Sequence, residues 1–207
     1  MTEIIAERIR LGRVLRASTG SFCVGCRTLE AGLPRFGSLV QAETNGGGAV
    51  YGLIYDVRVD DDPFVRQLIA AGELTNEYVE DQRQRRQVPV EVNVLVVGGR
   101  DRDGRVYQHL PPQPPATLSW VEVCPPDDVR QFGQRLDFLS TVLNAADAPA
   151  DELAAAALRH AAAAAATQAD PDQSRRYLEN AGRELARLLS RDPVRLNGIL
   201  QRMRSTV

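Results

Sequence analysis

The run Val88-Pro89-Val90-Glu91-Val92-Asn93-Val94-Leu95-Val96-Val97 constrains this chain most. Valine recurs at every second position, with polar residues between as far as Asn93. Successive side chains of a strand point to opposite faces, so this period of two predicts a strand over 88–97. One face of it is buried and the other is wet at first. The chain needs a sheet.

Further strand candidates are short and separated by turn residues. They cover 11–17, then 21–27 after Ser18-Thr19-Gly20, and 38–43 after a loop holding Gly32, Pro34 and Gly37. Asn45-Gly46-Gly47-Gly48 predicts a tight hairpin leading into a strand over 49–60. There Val50, Leu53 and Val57 are core candidates, and Tyr51, Gly52 and Tyr55 mark close packing where a strand bends. Asp103-Gly104 predicts another hairpin, answered by 106–110. The run Pro111-Pro112-Gln113-Pro114-Pro115 ends that strand, and 117–123 reads as a last edge strand. Between the strands, Asp62 and Pro63 form a helix-start signal, giving a short helix over 64–71 and a mostly polar one over 75–86. Six or seven short strands at this spacing indicate a small barrel or sandwich.

Near residue 130 the composition changes: alanine, leucine and arginine take over and β-branched residues thin out. The expectation is a helical region over 127–207. Val129, Phe132, Leu136, Leu139 and Leu143 fall at helical spacing and predict one helix over 127–144. Residues 151–166 are almost all alanine, helical by propensity but with little to bury. Asp170-Pro171-Asp172-Gln173 predicts a helix running to about Leu189, and Asp192-Pro193 starts a last segment to Arg204.

The 207 residues carry 25 basic and 27 acidic side chains, a net charge of −2, with 43% hydrophobic residues. This is a globular composition. All 25 basic residues are arginine, which removes Walker A, Schiff-base and lysine acid/base chemistry together. No apolar run approaches the ~20 residues of a spanning helix. The charged N-terminus has no signal-peptide core, and three cysteines give no paired framework. The expectation is a cytoplasmic protein with no membrane partner.

Leu11-Gly12-Arg13-Val14-Leu15, the small-residue turn before Phe22, Gly37-Ser38-Leu39-Val40 and Val50-Tyr51-Gly52-Leu53-Ile54-Tyr55-Asp56-Val57 occur in an order that resembles the HAS-barrel family. Val94-Leu95-Val96-Val97-Gly98 and the proline segment from Leu110 continue the likeness, which covers roughly 8–125. That family is the small β-barrel at the N-terminus of HerA-type hexameric translocases, related to the N-terminal barrel of rotary ATP synthase catalytic subunits. The resemblance implies a closed or nearly closed β-barrel with an inserted helical hairpin at about 63–86, and a barrel that assembles rings or docks partners such as nucleases. The motor domain that follows the barrel in the family is absent. No Gly-rich phosphate loop occurs, and helices stand in its place, so ATP hydrolysis and DNA pumping do not carry over.

Cys23-Val24-Gly25-Cys26, with Cys124, His109 and His160, can be drawn as a zinc or redox site. On a strand, however, Cys23 and Cys26 point to opposite faces, so buried structural thiols are expected and no metal or cofactor is assigned. His160, in the polyalanine helix, reads as a surface residue rather than a base. Asp60-Asp61-Asp62 reads as helix capping and Asp101-Arg102-Asp103-Gly104 as a turn. No catalytic set stands out.

The C-terminal helices hold the best partner signal. Arg176, Arg183 and Arg187 gather on one side of a helix, and Leu178, Ala181, Leu185, Leu188 and Leu189 on the other. The leucine side is expected to pack or to form an oligomer face. The arginine side is expected to meet a partner or a nucleic-acid backbone. The resulting expectation is a non-enzymatic assembly or adaptor module that binds itself or a translocase- or nuclease-type protein. The alternative is a nucleic-acid-binding accessory protein acting through the arginine face.

Overall fold

A computed structural model describes residues 9–26, 35–59, 90–166, 170 and 172–204. Among them are seven strands: β1 Arg10–Ala17, β2 Ser21–Cys26, β3 Leu39–Glu43, β4 Ala49–Val59, β5 Val90–Arg100, β6 Val106–Tyr107 and β7 Trp120–Val123. Five helices follow: α1 Pro126–Phe132, α2 Phe138–Leu143, α3 Ala150–Ala165, α4 Gln173–Leu188 and α5 Pro193–Arg204. The helices predicted over 64–71 and 75–86, and the capping expected of Asp60-Asp61-Asp62, lie outside the described residues.

Six strands close an antiparallel barrel in the order β2-β1-β7-β3-β4-β5, with β5 pairing back to β2 and β6 added beside β5. The alternating valines explain the interior. Val90, Val92, Val94 and Val96 point inward with Val14, Val24, Val40, Val50, Ile54 and Val121, and all are 2% exposed or less. Small branched side chains fill a six-stranded barrel, so the interior is a packed core. Gly52 lets β4 bend across it: a Cβ there would lie 2.3 Å from Val94 Cγ1. The register of β4 against β5 slips on either side, between Tyr51 and Gly52 and between Ile54 and Asp56. Tyr51-Gly52-Tyr55 is thus the bend its composition suggested.

β7 is not an edge strand. It pairs with β1 on one side and β3 on the other, because closure of the barrel uses both of its edges. β6 keeps only two residues of the predicted 106–110, and the chain then leaves the sheet towards the proline run.

A second core joins barrel and helices. Leu39, Tyr51, Leu53 and Val97, on the outside of β3, β4 and β5, pack under Phe132, Phe138, Leu139, Leu153 and Leu158. Leu95 is half-buried against the same cluster, which accounts for the loss of polar alternation after Asn93.

Helix α3 corrects an expectation. Its alanines bury well: Ala154, Ala155, Ala156, Ala157, Ala161, Ala162 and Ala165 are all buried, with Leu153 and Leu158 at 0% exposure. Small side chains allow close approach, so the helix sits at the centre of the helical layer. At Gly37, φ is +80°, and a Cβ would lie 2.5 Å from that of Ala156.

The single helix expected over 127–144 is two. It stops at Gly133, and the Gln108 side chain holds the break. Its Nε2 donates to the carbonyls of Phe132 (2.6 Å) and Arg135 (3.0 Å), and its Oε1 accepts from the Phe138 N–H (3.1 Å). One amide thus meets the exposed backbone groups of two helix ends. Helix α4 starts at Gln173, inside the predicted signal, while Asp192 Oδ1 accepts from the Arg195 N–H and caps α5 as expected.

Candidate functional site

The residues singled out from sequence are dispersed. Cys23 and Cys26 do face opposite sides of β2: Cys26 lies among the barrel-interior residues, while Cys23 touches Glu91 on the outer surface. Cys124 is buried in the layer between barrel and helices. The three thiols therefore cannot share one ion. Burial pushes Cys23 up to about 11, with the Glu91 carboxylate adding to the effect, and burial alone pushes Cys26 to about 11. A thiol held protonated beside a carboxylate is a poor nucleophile. That carboxylate is itself held below its usual range by the paired hydrogen bonds of Arg16, at 2.9 and 3.2 Å. Asp101 accepts from the Arg105 N–H at 2.8 Å, within the turn predicted there.

The histidines are separate too. His109 stacks on Tyr107 with ring centres 4.5 Å apart. His160 is not a plain surface residue: half-buried, its Nε2 lies 3.0 Å from the Phe36 carbonyl oxygen and ties α3 to the start of β3.

On α4 the leucine side is filled by this chain. Leu185 is 0% and Leu189 8% exposed, and Leu178 and Leu188 pack partly against the same core. All four of these leucines contact the helical core of this chain, Leu178 and Leu188 with part of their surface left open. The arginine side is exposed but engaged locally. Arg176 pairs with Asp170, Arg183 donates to Asn180 Oδ1 at 2.7 Å, and Arg187 makes three hydrogen bonds to Glu184. Arg195 and Arg202 pair with Asp151 and Glu152 of α3.

A different place gathers unsatisfied chemistry. On the wall of the barrel away from the helices, β1, β7, β3, β4 and β5 form an open cleft of about 440 Å³. The cross-strand rows are Arg10–Glu122–Gln41 and Arg13–Trp120, with Glu43, Ala49 and Arg100 continuing across β3, β4 and β5. The Arg13 guanidinium lies 3.9 Å from the centre of the Trp120 ring and that of Arg10 4.9 Å, cation–π contacts on an indole that is 39% exposed. Arg13 Nη1 also donates to the Leu118 carbonyl at 2.7 Å. Leu118 adopts φ +65°, the one positive φ outside glycine among the described residues, and strain of this kind concentrates at functional positions.

Glu122 is balanced by Arg10 at 4.0 Å and by Gln41 Nε2 at 3.4 Å. Gln41 is 4% exposed, and its Oε1 finds no hydrogen-bond partner among the described residues. Among the described residues Arg100 and Glu43 make no ion pair. The cleft thus offers arginine donors, an aromatic surface and a buried acceptor.

Sequence reasoning missed this cleft. Trp120 is the sole tryptophan, and Trp120-Val121-Glu122 alternates, which puts Trp120 and Glu122 on the outward face. The β1–β7 pairing that sets Arg13 beside Trp120 left no local signal.

Comparison with protein-family models and with curated proteins finds no match for the chain. A closed six-stranded barrel is compatible with the HAS-barrel resemblance and does not identify that family. No helix among the described residues is long and apolar enough to cross a membrane.

Proposed function

We propose that this chain is a non-enzymatic adaptor, a HAS-barrel-like module that docks a partner protein of translocase or nuclease type through the open wall of its barrel. The observation that carries the reading is the Arg13–Trp120 pair on a barrel wall that the described helices leave uncovered. Tryptophan and arginine dominate binding energy at protein interfaces, because a flat indole and a guanidinium bury large area at small entropic cost. The absence of lysine fits a module that binds without hydrolysing nucleotide. The well-filled helical layer supports a fixed shape for it.

Size-exclusion chromatography with light scattering, run on the chain alone and with proteins recovered from its source, tests the reading. A specific complex of defined stoichiometry is expected. A clean monomer that recovers nothing overturns it.

The second reading, nucleic-acid binding through Arg176, Arg183 and Arg187, is less favoured because those arginines are held by Asp170, Asn180 and Glu184. It predicts binding that weakens steeply with salt and is lost when all three become alanine.

A further inference from the structure

We infer that the cleft around Trp120 is the docking site for an extended acidic segment of the partner, with arginines taking its carboxylates and Gln41 accepting a backbone N–H. This rests on the adaptor reading and names the chemistry of the partner at that site.

Charge and hydrogen-bonding capacity point the same way. Arg10, Arg13 and Arg100 outnumber Glu43 and Glu122 in the cleft, although the whole chain is acidic. Arg100 has no ion pair among the described residues, and Glu122 is already balanced by Arg10 and Gln41. A carboxylate is the complement of a free guanidinium, which can hold it through two parallel N–H bonds. With Arg13 stacked on Trp120, the indole edge and the rest of the guanidinium remain to meet a flat, partly apolar segment.

The buried acceptor discriminates between polyanions. Among the described residues, Gln41 Oε1 at the cleft floor has no hydrogen-bond partner. A DNA sugar-phosphate backbone presents acceptors and offers no N–H to Gln41. A peptide carries an N–H at every residue but proline, so an extended acidic segment can satisfy Gln41 and the arginines at once. The Leu118 backbone, strained at φ +65° while its carbonyl holds Arg13, keeps that guanidinium in place before binding.

Because Trp120 is the only tryptophan, its fluorescence reports on the cleft directly. The full chain is titrated with a short oligo-glutamate, an oligo-glutamine of equal length and an oligothymidylate. The expected result is a saturable change with oligo-glutamate alone, weakened at least tenfold in Arg100→Gln and in Arg13→Gln. Gln41→Met weakens it several-fold while the melting temperature holds or rises, a combination that a purely structural glutamine would not give. No saturable change, equal response to oligo-glutamine, tighter binding of oligothymidylate, or unchanged affinity in Arg100→Gln overturns the inference. A partner complex that survives intact in Arg13→Gln/Arg100→Gln also overturns the cleft while leaving the adaptor reading in place. A chain that recovers no partner overturns the adaptor reading itself.

Discussion

The two walls of the barrel share strands and a valine interior, yet their outward faces differ. On β3, Leu39 and Gln41 point outward two residues apart. Leu39 joins the core under the helices, whereas Gln41 lies at the floor of an open cleft with an unpaired oxygen. On β4, Tyr51 and Leu53 are covered and Ala49 lines the cleft. The covered wall concentrates apolar burial, each filled leucine contributing about 1.5–3 kcal/mol. The open wall keeps Gln41 Oε1, which no described residue satisfies. On the proposed reading, stability rests on the covered wall and docking on the open one, and the two should be alterable independently.

The largest expected effect is on the covered wall. Leu158→Ala, at 0% exposure, should cost about 2–5 kcal/mol by chemical denaturation, whereas Trp120→Ala should cost under about 1 kcal/mol. Equal losses would break the division between walls.

Alkaline pH comes next. Cys23 and Cys26 are pushed up to about 11, against about 8.5 for an unfolded thiol. In this window the unfolded chain releases the thiol protons and the folded chain keeps them. Their stabilisation is complete below the unfolded value and is lost as pH rises from about 9 to about 11. After allowance for partial screening, the loss is about 2 kcal/mol per thiol. Denaturation midpoints across that window should fall, and Cys26→Ala should flatten the fall.

Smaller again is Gln108→Ala, which leaves the ends of α1 and α2 without their shared amide and should cost about 1–2 kcal/mol. The smallest is Tyr177→Phe. Tyr177 OH is buried without a hydrogen-bond partner among the described residues, and burial raises its pKa well above the ordinary phenol range. Its removal should be neutral or stabilising by up to about 1 kcal/mol, read as an unchanged or higher melting temperature.

Much of the fold was legible because it depends on local periodicity. Val90, Val92, Val94 and Val96 announce an inward face, and Asp192-Pro193 announces a helix start. What was not legible depends on distant partners. Residues 117–123 read as an edge because nothing local shows that β7 closes on β1. Residues 127–144 read as one helix because the amide that holds the break belongs to Gln108, far off in sequence. Alanine in α3 looked unable to bury much, yet its small size is what brings Gly37 and the barrel close. At the cleft, Trp120 was visible as the lone tryptophan, but its guanidinium partners come from β1, across the closure of the barrel.

The central claim is that docking uses the open wall and not α4. The most direct measurement compares partner affinity, by titration calorimetry, for the native chain, Arg13→Gln/Arg100→Gln and Arg183→Ala/Arg187→Ala. The first pair of changes is predicted to weaken the complex at least tenfold and the second to leave it within about twofold. The opposite order would contradict the account.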